Sequence, residues 1–244
     1  EIHAGDWSSD VCSSDLNRIL KSQPGQEDFL PKFKQHISKN VISLGGNHVA
    51  FALRLEGTQF EGVNDSTIVS QYLHLNKALS MFGKDKGSRL GLWCTLHHKK
   101  VDFSRRYEFS TKFTREFHEK YMERFQRDDY YENIYYITAV LKYEDIDDAI
   151  EEAEELIEKM TESLRTYDPY VLGAYQNENG ILFSEFYDFI GSLINGNSEP
   201  IPLSNTDAFR VIPAADLHFG AELLEMRGAG RTRYATLYDL KEFG

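Results

Sequence analysis

The adjacent pair His97-His98 and the pair His118-Glu119 are the residues of this 244-residue chain that first invite a metal reading. Neither survives its spacing. Successive residues of a strand point to opposite faces, so His97 and His98 cannot converge on one ion. His118-Glu119 lies in a helical pattern, but Met122 stands where H-E-x-x-H needs its second histidine. Phosphate binding needs G-x-x-x-x-G-K-[ST], whose backbone N–H groups surround the phosphates. Gly83-Lys84 is followed by Asp85 and has Ala78 in the first position, and Gly228-Ala229-Gly230-Arg231-Thr232 lacks both the lysine and the leading glycine. No G-x-S-x-G elbow presents a nucleophile. The expectation is therefore no catalytic residue, no cofactor-binding residue and no metal ligand, and no bound cofactor.

Charge excludes a further class. The formal net charge is −12, and Glu1, Asp6, Asp10 and Asp15 supply four of those charges, leaving −8 on the rest. A nucleic-acid surface needs phosphate-neutralising Lys and Arg, so direct binding of nucleic acid is not expected. Lys99-Lys100 and Arg105-Arg106 read as a solvated loop. The acidic run from Glu144 to Glu162 reads as the solvated face of a helix, with partner docking as a second reading. The aromatic segment Tyr130 to Tyr143 is apolar on both faces and reads as core, not as a base-stacking platform. No apolar run approaches the ~20 residues of a membrane span. With Cys12 set aside for the reason given below, Cys94 is left alone in a strand, where a small buried thiol is expected. One cysteine makes no internal disulfide, so a cytoplasmic setting follows.

The elements that hold these groups follow from periodicity. Val49, Phe51, Leu53 and Leu55 alternate as a strand, joined to Val41–Leu44 by Gly45-Gly46-Asn47, which supplies the positive-φ residues of a hairpin. Asn64 or Ser66 caps a helix with Ile68, Tyr72, Leu75, Leu79 and Phe82 on one apolar face, ended by Gly83. Leu90, Leu92, Cys94 and Leu96 share one strand face, with Trp93 opposite. Ser110 opens a second helix with Phe113, Phe117, Tyr121 and Phe125 at four-residue spacing. Strand Ile134–Tyr143 is central. A helix over 147–164 turns Ile150, Ala153, Leu156, Ile157, Met160 and Leu164 inward. Strand Tyr170–Tyr175 and the turn Asn177–Gly180 follow, then Ile181–Gly196: a short strand, Ser184 as N-cap, an amphipathic helix, and Gly196 as left-handed C-cap. After a loop over 197–206, short strands are expected near Phe209–Ile212, Glu222–Met226 and Arg233–Phe243.

The fold class is α+β: a mixed, largely antiparallel sheet flanked by three or four amphipathic helices, in two possible subdomains at 27–166 and 167–244. Residues 17–26 read as a flexible lead-in. Residues 1–16 are set aside: Asp6–Leu16, DWSSDVCSSDL, matches residue for residue one reading frame of a common sequencing-library adapter. The last strand runs to the final residues without a closing turn, which reads as a chain cut short.

Several segments, in order, resemble one family. They are Phe29-Leu30-Pro31, the hairpin His36–Leu55, Glu56-Gly57 with Phe60-Glu61-Gly62-Val63, Leu75–Leu79 and Gly91–Lys99. Asn133–Leu141, ILFSEFYDFIGSLING over 181–196, Phe219-Gly220 and Tyr238–Phe243 complete the series. The chain resembles the N-terminal domain of the CagE/TrbE/VirB family, ATPases of type IV secretion and conjugation. The resemblance implies a docking and assembly domain of a motor whose C-terminal domain hydrolyses ATP, with Mg, to drive pilus biogenesis and DNA or protein transfer. The partners it implies are inner-membrane subunits of the secretion channel and other copies of the same protein, a hexamer in the family. The place it implies is the cytoplasmic side of the inner membrane, held there peripherally. Alone, this stretch is expected to be inactive. The rival reading is a free-standing, non-catalytic α+β scaffold or binding module.

Overall fold

The computed structural model describes residues 30–58, 62–101, 108–123, 130–196, 199–219, 223–228 and 231–236. The first sixteen residues, the lead-in, Phe29, Phe60-Glu61, Arg105-Arg106, Phe125, Gly220, Glu222, Gly230 and Tyr238–Phe243 lie outside the described residues. The described residues fall into two compact units, one within 36–186 and the other made of 30–35 with those from 187 to 236.

Phe33–His36 (β1) ends in the first unit. Ile42–Leu44 (β2) and His48–Leu55 (β3) follow, then Asp65–Lys86 (α1), Leu90–Lys100 (β4) and Lys112–Met122 (α2). Next come Tyr131–Lys142 (β5), Ile146–Ser163 (α3), Pro169–Val171 (β6), Ala174–Gln176 (β7) and Leu182–Ser184 (β8). Glu185–Asn195 (α4) leaves the unit. The sheet runs β1-β2-β3-β5-β4, and β6 also pairs with β3. β2 holds the first half of β3, from Leu44↔His48, and β6 its second half, to Leu55↔Pro169. The pairs β2–β3, β3–β5, β3–β6 and β4–β5 are all antiparallel. The architecture is the expected α+β, with β5 central between β3 and β4.

Alternation decides the core. Val49, Phe51, Leu53 and Leu55 of β3 and Ile137, Ala139 and Leu141 of β5 face Ala149, Ala153, Leu156 and Met160 of α3, with Leu164 just beyond it. Gly46 (φ 71°) and Asn47 (φ 59°) make the β2–β3 turn as their types require. Asn64 caps α1, its Oδ1 accepting from the Thr67 N–H at 2.9 Å.

Several boundaries differ from expectation. α1 passes through Gly83 and stops at Gly87 (φ 58°), because a glycine inside a helix lowers its stability without ending it. Thr111, not Ser110, caps α2, accepting from Thr114 N at 3.2 Å. Tyr170–Tyr175 is two strands with a break. The Leu172 N–H bonds Ala52 O at 2.9 Å and the Ala174 N–H bonds Lys39 O at 2.8 Å, so the chain leaves β3 at Gly173. A Cβ there would stand 2.6 Å from Asn40 Nδ2.

In the second unit, Tyr187 and Phe189 of α4 are buried. The Tyr187 hydroxyl donates to Lys34 O at 3.0 Å. Asn195 clamps the segment around Ala208–Val211 (α5), donating to Ile212 O at 2.8 Å and accepting from Ala214 N at 2.9 Å. Gly196 takes φ 67°, as a left-handed cap needs. Residues 208–211 are thus helical, not a strand, their backbone donor at Ile212 turned back to Ala208 O. Asp216–Phe219 (β9), Leu223–Gly228 (β10) and Arg231–Thr236 (β11) form an antiparallel sheet in the order β11-β10-β9.

Candidate docking surface

His98 and His118 are both engaged in local packing. His98 Nδ1 lies 2.8 Å from Asn133 Oδ1, and its ring stacks on Tyr131 at 4.5 Å. The His118 ring packs on Phe109 at 4.8 Å. Among the described residues no three His, Cys, Asp or Glu side chains gather to hold a metal. Gly83-Lys84 is in the body of α1, where backbone N–H groups serve the helix, so these residues do not fit a nucleotide phosphate and its magnesium.

The sequence reading missed the contact between His36 and Ser184. His36 Nε2 lies 2.7 Å from Ser184 Oγ, and Nδ1 lies 3.1 Å from Ser38 O. Because Ser38 O can only accept, Nδ1 carries the proton and neutral Nε2 accepts from the serine hydroxyl. Burial holds the His36 pKa below its ordinary value, against the raising effect of backbone hydrogen bonds. Ser184 is fully buried, so this serine–histidine pair is a tie between β1 and the start of α4, not a nucleophile. Nothing in the sequence signals it, since 148 positions separate the partners. Glu185 completes the tie, its carboxylate accepting from Gly173 N at 3.0 Å and from the Tyr170 hydroxyl at 2.8 Å.

An acidic cleft of about 430 Å³ lies between the end of α1 and α3, lined by Glu144, Asp145, Asp148, Glu151 and Glu155. Glu152 within it takes Arg89 at 2.7 Å and Lys86 at 3.3 Å. The Arg89 hydrogen bond, ahead of those of Lys86, holds the Glu152 carboxyl below its ordinary range although burial opposes it. The pair staples α3 to the α1–β4 connection.

The first unit also leaves large apolar side chains uncovered. α1 is about 33 Å long and β4 about 36 Å. Because Gly87–Arg89 joins them directly, they run back to back, and Ile68 and Tyr72 lie toward the same end of the unit as Leu96. The near half is packed: Ala78 and Phe82 of α1 are buried, and Leu90 and Leu92 of β4 lean on the same core. The far half is bare. Tyr72 is 64% exposed and Leu96 62%; Trp93, in the near half of β4 but on its opposite face, is 70% exposed. Ile68 and Tyr72 were expected on the core face; the core reaches only to Leu75. Cys94 is exposed, not buried as expected, because it stands beyond that limit. The Tyr135 hydroxyl pKa is pushed up to about 12, by burial first and by the neighbouring Cys94 thiol second. α2, inserted between the far ends of β4 and β5, exposes Phe113 by 76% and Phe117 by 66%. Its four-residue aromatic spacing was legible; its lack of a covering layer was not.

The comparisons with known proteins agree with the ordered landmarks. Residues 40–146 match the family described as type IV secretion system ATPase VirB4/TrbE, N-terminal domain. Residues 170–244 match the CagE, TrbE, VirB family, component of type IV transporter system. The chain is similar to the type IV secretion system protein virB4 of Bartonella henselae, 24% identical over 92% of this chain and 31% of that protein. It is similar to the virB4 protein of Bartonella quintana, 23% identical over the same shares. The chain thus spans about a third of the length of these curated relatives.

Proposed function

The chain belongs to the VirB4/TrbE family of type IV secretion ATPases, and from that premise we propose that this stretch is the docking and assembly part of such a motor. In this reading it seats the motor on inner-membrane subunits of the secretion channel and on neighbouring copies, at the cytoplasmic side of that membrane. ATP hydrolysis, with its magnesium, is carried out by other residues of the full-length protein. One observation supports the reading: the 36–186 unit leaves Tyr72 of α1, Leu96 of β4 and Phe113 and Phe117 of α2 facing solvent, large apolar side chains that its core does not cover. Exposed apolar patches of this kind mark interaction sites. Among the described residues no helix is long and apolar enough to cross a membrane; in this reading attachment runs through partners. Pilus biogenesis and the transfer of DNA or protein belong, in this proposal, to the full-length protein.

The test has two arms. The purified 244-residue chain is assayed for ATP turnover against a buffer control, and co-expressed with the inner-membrane channel subunits for co-purification. The reading expects background turnover and recovery of a channel subunit. Turnover well above background, or no subunit recovered, overturns it.

A further inference from the structure

The outer edge of β4 has no pairing strand among the described residues. β4 stands last in the sheet order and bonds β5 residue by residue, from Leu90↔Leu141 to Lys100↔Tyr131. β3 stops at Leu55↔Tyr135, so the last four β4–β5 pairs, His97↔Ile134 to Lys100↔Tyr131, project beyond their neighbour as a two-stranded ribbon. Proteins usually blunt such an edge with proline, a bulge or an inward-pointing charge. β4 reads LGLWCTLHHKK: it has no proline, and its register with β5 is unbroken over all eleven residues. No charge interrupts Leu90–His98, and side chains on both faces, Trp93 and Leu96, are apolar and exposed.

We propose that the outer edge of β4 is a strand-addition site for an extended, acidic segment of a partner protein. This rests on the docking reading and specifies its partner chemistry. An edge of unpaired N–H and C=O groups is met most completely by another extended backbone, with alternate side chains falling beside Trp93 on one face and Leu96 on the other. The charge of that segment follows from β4 itself. In a chain of net charge −12, β4 contains no Asp or Glu and ends in His97-His98-Lys99-Lys100. Among the described residues the Lys99 ammonium has Glu132 near it, at 4.0 Å, with both side chains nearly half exposed, so its field can reach an incoming carboxylate. A second copy of β4 is the poorer occupant. Antiparallel self-pairing sets Lys99-Lys100 against the Arg89 end of the other copy and brings two net-acidic molecules together.

The experiment uses the 244-residue chain and three synthetic peptides of about ten residues, a length that spans β4. One alternates Val with Thr and Glu; the second has Lys for Glu; the third is the acidic peptide N-methylated at every second residue, which removes backbone donors. Amide hydrogen exchange read by mass spectrometry is expected to slow across 90–99 with the acidic peptide and not with the methylated one. Lys99→Glu is expected to weaken the acidic peptide about tenfold and to improve the basic one, a swing of the size one opposed charge pair supplies. Its unfolding midpoint, matched to that of the parent, shows that the fold is intact. Three outcomes overturn the proposal: no slowing over 90–99 at millimolar acidic peptide; slowing that rises with protein concentration in the absence of peptide, the mark of a second copy; or slowing produced equally by a single-stranded oligonucleotide. Co-purification of channel subunits alongside any of these results means that docking occurs elsewhere on the chain. Loss of both means that the docking reading itself has failed.

Discussion

The near and far halves of the β4–β5 ribbon are built from the same alternating pattern and end in opposite environments. Near the α1–β4 connection, Leu90 and Leu92 lean on a core with Ala139 and Leu141. A few residues on, Leu96 and Tyr131 stand in solvent. The difference lies in what lies over one face: α3 and the C-terminal half of α1 cover that face of the near half, and the core stops at Leu75. Periodicity tells which side chains share a face; whether that face is covered is settled by the lengths and crossings of other elements. The bare half is what a docking part of an assembly would present.

The largest test of the contrast is cavity formation. Phe51→Ala, in the packed half and fully buried, is expected to lower stability by about 3–5 kcal/mol in urea unfolding. A loss under 1 kcal/mol would mean that the near half is not a close-packed core. Gly173→Ala comes next. Its new Cβ would press on Asn40 Nδ2 at 2.6 Å and on Lys39 O at 3.3 Å, endangering the Asn40 bond to Leu172 O, with an expected loss of about 1–3 kcal/mol.

The His36 tie predicts a pH dependence. Its folded pKa lies below the ordinary imidazole value of 6.5, so above that pH both folded and unfolded chains hold it neutral and its contribution is complete. As pH falls below 6.5 the unfolded chain takes up the proton first, and stability declines toward the lowered folded value. The unfolding midpoint is expected to drop between pH 7.5 and 5.5, and to drop less in His36→Gln. An equal slope in both proteins would remove His36 as the cause. Smaller still is Glu152→Gln. Its partners Lys86 and Arg89 are partly solvated, so the loss at neutral pH should stay near 1 kcal/mol or less. Because the Glu152 pKa is lowered by folding, that contribution is present above the ordinary carboxylate range and lost as pH falls through the lowered value. Phe117→Ala, on the bare α2, should change stability by less than about 0.5 kcal/mol; a large loss would show that the stripe is covered after all.

Local signals in the sequence were read well. The Gly46-Asn47 turn, the Asn64 cap, the Gly196 cap and the inward row Ala153, Leu156 and Met160 each depend on one residue's conformational preference or on a fixed period. What escaped was set by distant neighbours. The His36–Ser184 bond joins positions 148 apart, the strand break at Gly173 is imposed by Lys39 and Asn40, and Cys94 is exposed because no helix among the described residues covers it. A short strand was expected near Phe209–Ile212; Asn195, bonded to both Ile212 O and Ala214 N, frames a helical turn there instead. The docking surface was half legible, as aromatic spacing whose exposure no periodicity reveals.

The central claim is that the bare far end of the 36–186 unit is where this chain docks. The direct measurement is co-purification of the inner-membrane channel subunits with the 244-residue chain and with its Leu96→Asp/Phe117→Asp variant, after equal unfolding midpoints have been established for the two. Recovery of the subunit by the parent and its loss in the variant is the expected result. Equal recovery by both would contradict the account.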